Sequence, residues 1–402
     1  MRKLIAITLL LLLTAPCLRA QRKEISQARV YIKSGKDKDL EKAERLMTDL
    51  LSKDSINRKN TKIYATWYEV VKKQYEVGNE KLYLKEKYDT TQLFNLAKRL
   101  FTIAETLDSI DSQPDKKGRI KPEYRKKHAE ELMRLRTNLY SGGAFNMRKT
   151  DYHAAHIYFD MYIDSERQPL FSAIAKNFDR KMLVQAAYWA TYCGYKNNNS
   201  YQTLKHAKLA LADTSKTSFV YEYMAEAYLK EKNEEKFVET LLQGFSNNPT
   251  FPYFFPHLMD YYNSHQQYDR ALALADTALL VAPDNDLFAF AKSSVLLNTG
   301  KYDESLTLSI KLIERQPMLS EAYYNAGTAI LNKILNIENS TDARLHKKKV
   351  KDLYQQARTF IEEYRRQVAN NSHKWAPLLY KIYLNLNMGK QFEEIDAIMK
   401  KQ

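Results

Sequence analysis

The chain has 402 residues, 44% of them hydrophobic and 28% charged, with 10 glycines, 10 prolines and a net charge of +15. So few turn formers exclude an all-β sandwich or barrel, and the hydrophobic fraction excludes a disordered chain. Length and composition leave an α-rich fold, either two or three domains or one elongated array.

Residues 1–20 read as a signal peptide. Met1-Arg2-Lys3 is cationic, Leu4 to Leu13 is apolar apart from Thr8, and Pro16 ends the run well short of a bilayer span. Cleavage is expected after Ala20, where the Ala20-Gln21 junction resembles those of exported Bacteroidota proteins. Pro16 stands where a lipobox before Cys17 needs a small residue, so lipidation is the lesser reading. Removal of Arg2, Lys3 and Arg19 lowers the charge from +15 to +12 and leaves Cys193 as the sole thiol. That thiol reads as a buried small hydrophobe, with no disulfide to form. No later segment is long and apolar enough to span a membrane. The expected location is periplasmic or secreted.

The next segments pair as helices. Residues 25–34 go with 40–52, where Ala43, Leu46, Met47, Leu50 and Leu51 share a face, and 61–77 go with 91–110 across a charged connection containing Asn79 and Lys85-Glu86-Lys87. Ser112 to Gly118 reads as a loop between repeats. Gly142-Gly143-Ala144-Phe145 reads as the end of a first helix, its glycines permitting close packing. Asp151 to Tyr162 then forms its partner.

From residue 182 onward the chain repeats itself. Pro249, Pro283 and Pro317 recur at i, i+34 and i+68, and Tyr221, Phe255, Ala289 and Tyr323 keep the same step. So do Tyr228, Tyr262, Leu296 and Ile330, while Ala225, Met259, Ser293 and Gly327 form a rung of mostly small residues on the same face. Each proline ends a helix by lacking an N–H and crowding the preceding turn. The turns inside the repeats are polar: Ser264 to Gln267, and Asn298 to Lys301.

This period, with aromatic, small and proline rungs in that order, resembles the tetratricopeptide repeat (TPR) family. Units 218–251, 252–285 and 286–319 are near-consensus, and 182–217 holds the register without the terminal proline. A fourth unit starts at Ser320 and is interrupted near 332–350, with Asp342 expected to cap a long basic helix from Ala343 to about Ala369; a last pair runs from Trp375 to Met399. The resemblance implies an all-α fold, a right-handed α-solenoid of antiparallel helix pairs. Its expected divisions are the signal peptide, divergent TPR-like helices over 21–181, and TPR repeats over 182–402. One continuous array is expected, because such repeats bury their faces only against neighbours.

The resemblance also implies a concave groove lined by first helices, and so by Tyr223, Glu226, Lys230, His257, Asp260, Asn263, Asn298, Asn325, Thr328 and Asn332. The carboxylate clamp of one TPR subclass is absent. Its Lys position reads Glu222, Pro256, Phe290 and Tyr324, and its Asn position reads Glu226, Asp260, Ser294 and Thr328. The implied partner is therefore a protein or peptide segment gripped without that clamp.

Little else carries chemistry. His153 and His156 share an i, i+3 spacing without the Glu of a metalloprotease helix. Ser141-Gly142-Gly143-Ala144 lacks the Lys of a phosphate loop, and no Gly-x-Ser-x-Gly occurs. No catalytic set, cofactor or metal is expected; the enzyme alternative places a site between the irregular N-terminal helices, for example around His128, His153 and His156. Two basic runs, Lys116 to Lys127 and Arg344 to Lys351, read first as solvated helix surface; since the chain reads as exported, an anionic envelope surface of lipid or polysaccharide, or an acidic protein, suits them better than nucleic acid. A SusD-like glycan-acquisition component is the remaining alternative, though that class is longer and carries a lipobox. Asp-Ser/Thr motifs at Asp54-Ser55, Asp89-Thr90, Asp108-Ser109 and Asp276-Thr277 resemble Bacteroidota O-glycosylation sites.

Overall fold

The structure, a computed structural model, describes residues 21–339 and 346–401. The signal-peptide reading and the cap expected at Asp342 lie outside the described residues. Among these residues there is no strand.

Several of the helices begin where a short polar side chain caps them. Helix α1 covers 21–34, followed by α2 (Asp37–Lys53), α3 (Thr61–Tyr83), α4 (Thr90–Asp111), α5 (Arg125–Arg148), α6 (Tyr152–Asp164) and α7 (Arg180–Lys196). Asn60, Asp89, Asp151 and Asp179 accept hydrogen bonds from the first backbone N–H groups of α3, α4, α6 and α7. Then come α8 (Ser200–Lys205), α9 (Ala207–Ala210), α10 (Thr217–Lys230), α11 (Glu234–Asn247), α12 (Phe254–Ser264), α13 (Tyr268–Val281), α14 (Asp286–Asn298) and α15 (Tyr302–Arg315). The last four are α16 (Ser320–Glu338), α17 (Lys347–Gln367), α18 (Ser372–Asn385) and α19 (Gly389–Met399).

Within each unit the helices pack chiefly on their neighbours in sequence. The short turns between them make those neighbours antiparallel. This is an all-α, TPR-like arrangement of helix pairs. It forms two compact units, residues up to Glu234 and residues from Glu235 onward. The core of the first centres on Leu100, Phe101, Leu132, Leu139, Phe159, Leu183 and Ala190, and a core of the second on Ile330, Ile334, Tyr354, Ile361, Tyr364, Trp375 and Leu379. Each such large side chain is worth about 1.5–3 kcal/mol of burial.

The repeat register has a backbone counterpart. Asn198, Lys232, Gln266 and Gly300 stand one repeat period apart, and all four adopt positive φ, at 54°, 56°, 56° and 78°. Each turns the chain from the first helix of its repeat into the second. The small-residue rung behaves as expected. Ala225, Met259, Ser293 and Gly327 are all buried. Gly142 and Gly143 likewise admit ring faces: an added Cβ would lie 2.9 Å from Tyr158 and 2.7 Å from Phe159.

Some expectations shift. The connection across the charged segment is shorter, because α3 continues through Asn79 to Tyr83. The basic helix is described only from Lys347. The second helix of the 182–217 repeat is broken at His206, whose ring is drawn to Asp160 at 2.7 Å. The largest irregularity, 165–179, runs through three short 3-10 turns, one begun by Pro169. It wraps a buried arginine: Arg136 donates to Ser165 Oγ at 3.1 Å and to the Tyr162 carbonyl at 2.8 Å, and lies over the Tyr162 and Phe178 rings at 3.6 and 4.0 Å. With rings and neutral acceptors instead of an acid, Arg136 fixes the connection through geometry as well as charge.

Candidate functional site

First helices in this fold alternate between a core face and an exposed face, and the ten groove positions fall on α10, α12, α14 and α16. Tyr223, Glu226 and Lys230 belong to the first unit and are brought together. With Tyr195, Asn198, Asn199, Ser200, Thr203, Ala227 and Leu229 they line a cavity of about 290 Å³. Its floor is aromatic. Tyr195 and Tyr223 stack at 4.6 Å, and Tyr192 lies 5.8 Å from Tyr223. Burial, with the Tyr188 hydroxyl nearby, pushes the pKa of Tyr223 upward. Lys230 at the rim donates to the Asn198 carbonyl. The result is a ring floor with amide, hydroxyl, carboxylate and ammonium walls, which can stack on a side chain and hydrogen-bond a backbone.

The other seven positions are in the second unit and differ among themselves. Asp260 and Asn298 are exposed. His257 is half-buried, stacked on Tyr253 at 4.1 Å with Nδ1 held 2.6 Å from the Tyr253 carbonyl. Asn325 is buried and donates to Ser293 Oγ at 3.1 Å and Ser294 Oγ at 3.0 Å, so its amide joins α14 to α16. Asn332 donates to the Thr328 carbonyl at 3.0 Å, whereas Asn263 Oδ1 and Thr328 Oγ1 are buried without a hydrogen-bond partner among the described residues. Sequence periodicity assigns these residues to one helix face but does not separate the inward edge of that face from the outward one. Tyr195, Asn198 and Ser200 escape it for the same reason; their signal is the tyrosine-rich α7 and the turn position one repeat before Lys232.

The three histidines do not converge. His153 is exposed; His156 is buried beside Gln202, with Nε2 unpartnered among the described residues; His128 is packed between Tyr68 and Tyr124 at 4.0 and 5.8 Å.

No protein-family model matches the chain, and no curated protein matches it. Among solved structures, the chain is similar to TPR proteins. The C-terminal part of a TPR repeat-containing protein from Cytophaga hutchinsonii aligns at 12% identity and a TM-score of 0.43, over 65% of this chain and 93% of that one. A thermophilic TPR protein from Thermus thermophilus aligns at 21% identity and 0.26, over 49% and 99%. The TPR2AB domain of yeast Sti1, solved as a pHSP90 complex, aligns at 16% and 0.27, over 79% and 98%. The paired helices and the periodic turn ladder are what make the present fold TPR-like.

One cluster has the composition of a metal set: Asp160, Asp164 and His206 place ligand atoms within 4.8 Å of one another. Its centre is already filled. Lys205 Nζ lies 2.6 Å from Asp160 and 2.7 Å from Asp164. Burial would raise the Asp160 pKa, but hydrogen bonds from His206 and Lys205 overcome it and hold it at about 2. Nearby Glu105 has no such donor; burial first and Asp164 second push it up to about 7.

The first basic run is neutralised at three of its seven cations. Arg119 forks onto Asp115 at 2.9 and 2.8 Å, Arg125 onto Asp108 at 2.7 and 2.8 Å, and Lys127 meets Glu69 at 2.9 Å. Lys347, Lys348, Lys349 and Lys351 of the second run are exposed. Among the described residues, no helix is long and apolar enough to cross a membrane. Of the four Asp-Ser/Thr motifs, Ser55, Ser109 and Thr277 are exposed, whereas Asp108 is committed to Arg125.

Proposed function

We propose that this protein is a non-catalytic interaction scaffold of a bacterial envelope, exported and then held to its partners through the first-helix faces of its repeats. The observation that carries this reading is the cavity of Tyr195, Tyr223, Glu226 and Lys230. It joins stacked rings to convergent polar groups from α7, α8 and α10, the make-up of a site that grips an extended or helical segment. The ion-paired Asp160–Lys205–Asp164 cluster supports the non-catalytic part, since its carboxylates are already neutralised by an internal ammonium.

The test is capture from envelope extract of the source organism. Glu226→Lys with Lys230→Glu reverses the rim charges at accessible positions, while Lys208→Glu on α9 controls for charge alone. Capture of a defined partner by the wild type and the control, lost in the rim variant, supports the reading. Equal capture by all three, or none by the wild type, defeats it.

A further inference from the structure

The first helices of the first three pairs, α1, α3 and α5, meet around a second cavity of about 170 Å³. Arg29 of α1, Lys62 and Glu69 of α3, and Tyr124, Lys127 and His128 at the start of α5 line it. Its charge is unbalanced. Lys127 is matched by Glu69 at 2.9 Å, whereas neither Arg29 nor Lys62 has a carboxylate partner among the described residues.

His128 makes the cavity more than a patch of surface cations. It is 2% exposed, is packed between Tyr68 and Tyr124, and lines the cavity. Burial lowers the pKa of this imidazole, as do Lys127 and Lys72, against the pull of Glu131 and Glu69. In its neutral form the ring offers one N–H donor; on protonation it adds a third unbalanced cation. A guanidinium fork, an ammonium and an imidazole around a small cavity match the oxygens of a compact anion.

We propose that this cavity is an oxyanion site, filled by the acidic side chain, carboxylate or phosphomonoester, of a peptide segment lying along the first helices. The peptide source rests on the scaffold reading above; the anion chemistry stands on these residues.

The test follows the His128 ring resonances by NMR in the full folded protein, with His128→Gln used only for assignment. Sulfate, at constant ionic strength, is the first probe, because its own charge does not change over the working range. We expect saturable shifts at His128, about tenfold weaker binding in Arg29→Gln with Lys62→Gln, and no change in the control Lys181→Gln with Lys208→Gln. Binding should tighten from about pH 7.5 to about pH 5.5, since an anion favours the protonated ring. Short peptides with a central Glu or phosphoserine then separate the two sources, with a Gln peptide expected to leave His128 unmoved. A His128 signal indifferent to sulfate, or equal weakening in both double variants, overturns the site. If partner capture still depends on Glu226 and Lys230 in that case, the scaffold reading survives and this inference alone fails.

Discussion

Gly327 of α16 faces Ile361 of α17 so closely that a methyl group at 327 would overlap the isoleucine side chain. Both residues are fully enclosed, and Phe360 closes the same side. The small rung of the repeat is therefore a distance constraint between two helix axes. Gly327→Ala should gain helix propensity yet lose about 2 kcal/mol net, because overpacking a filled interface outweighs it. Shortening Ile361 to Ala in the same chain should recover part of that loss. Denaturant unfolding of the two single variants and the double variant checks this: additive costs would show that the two side chains do not compete for one space.

Glu105 and Asp160 pull stability in opposite directions with pH. Glu105 is held at about 7, above the ordinary carboxylate range, so the native state binds a proton that the unfolded chain releases. Its cost is absent at pH values below the ordinary carboxylate pKa, grows as pH rises toward 7, and then levels off. Asp160 is held at about 2, so its contribution is present above the ordinary value and fades as pH falls toward 2. Glu105→Gln should therefore match the wild type in solution more acid than the ordinary carboxylate pKa, and melt at an increasingly higher temperature than the wild type as pH rises toward neutrality and beyond. Thermal melts across that range decide it; a constant offset at every pH would mean that burial of Glu105 does not control its proton.

The helix pairs are legible because the rungs that define them are spaced along the sequence. Pro249, Pro283 and Pro317 end the helices they are expected to end, and Gly327 and Ala225 sit where bulk is excluded. The site is less legible for a physical reason. Periodicity places Asn325 on the same face as Asp260, but whether an amide points to solvent or bridges to Ser293 depends on the neighbouring helix. Likewise nothing local marks Arg29, Lys62 and His128 as neighbours, because they come from three helices far apart in the chain. Arg125 and Lys127 look like parts of a basic run until Asp108 and Glu69, distant in sequence, neutralise them.

Cys193 sits fully enclosed on α7 within the core of the first unit, and burial pushes its thiol up to about 12. The thiolate is the reactive form, so the native thiol should be inert. In a Cys17→Ser background, an aromatic disulfide reagent should label nothing in the folded protein and one thiol after unfolding. The labelling rate then reports opening of the first unit. Rapid labelling under native conditions would show that α7 is accessible without unfolding.

The turn ladder makes the sharpest prediction. Asn198, Lys232, Gln266 and Gly300 occupy equivalent positive-φ positions, but only the last is a glycine. A residue with a Cβ pays about 1–2 kcal/mol for the left-handed region, somewhat less for Asn. Gln266 is exposed, and its backbone N–H donates to the Asn263 carbonyl at 3.1 Å, a bond that glycine would keep. Gln266→Gly should therefore stabilise the second unit by about 0.5–1 kcal/mol, the left-handed relief less the added freedom of the unfolded chain. Gly300→Ala should cost about 1 kcal/mol at the equivalent turn. Opposite signs at positions one repeat apart, read as shifts in denaturation midpoint, would establish that the backbone sets the repeat as firmly as its side chains do. If both substitutions move stability in the same direction, the two turns are not equivalent and the ladder is not a shared constraint.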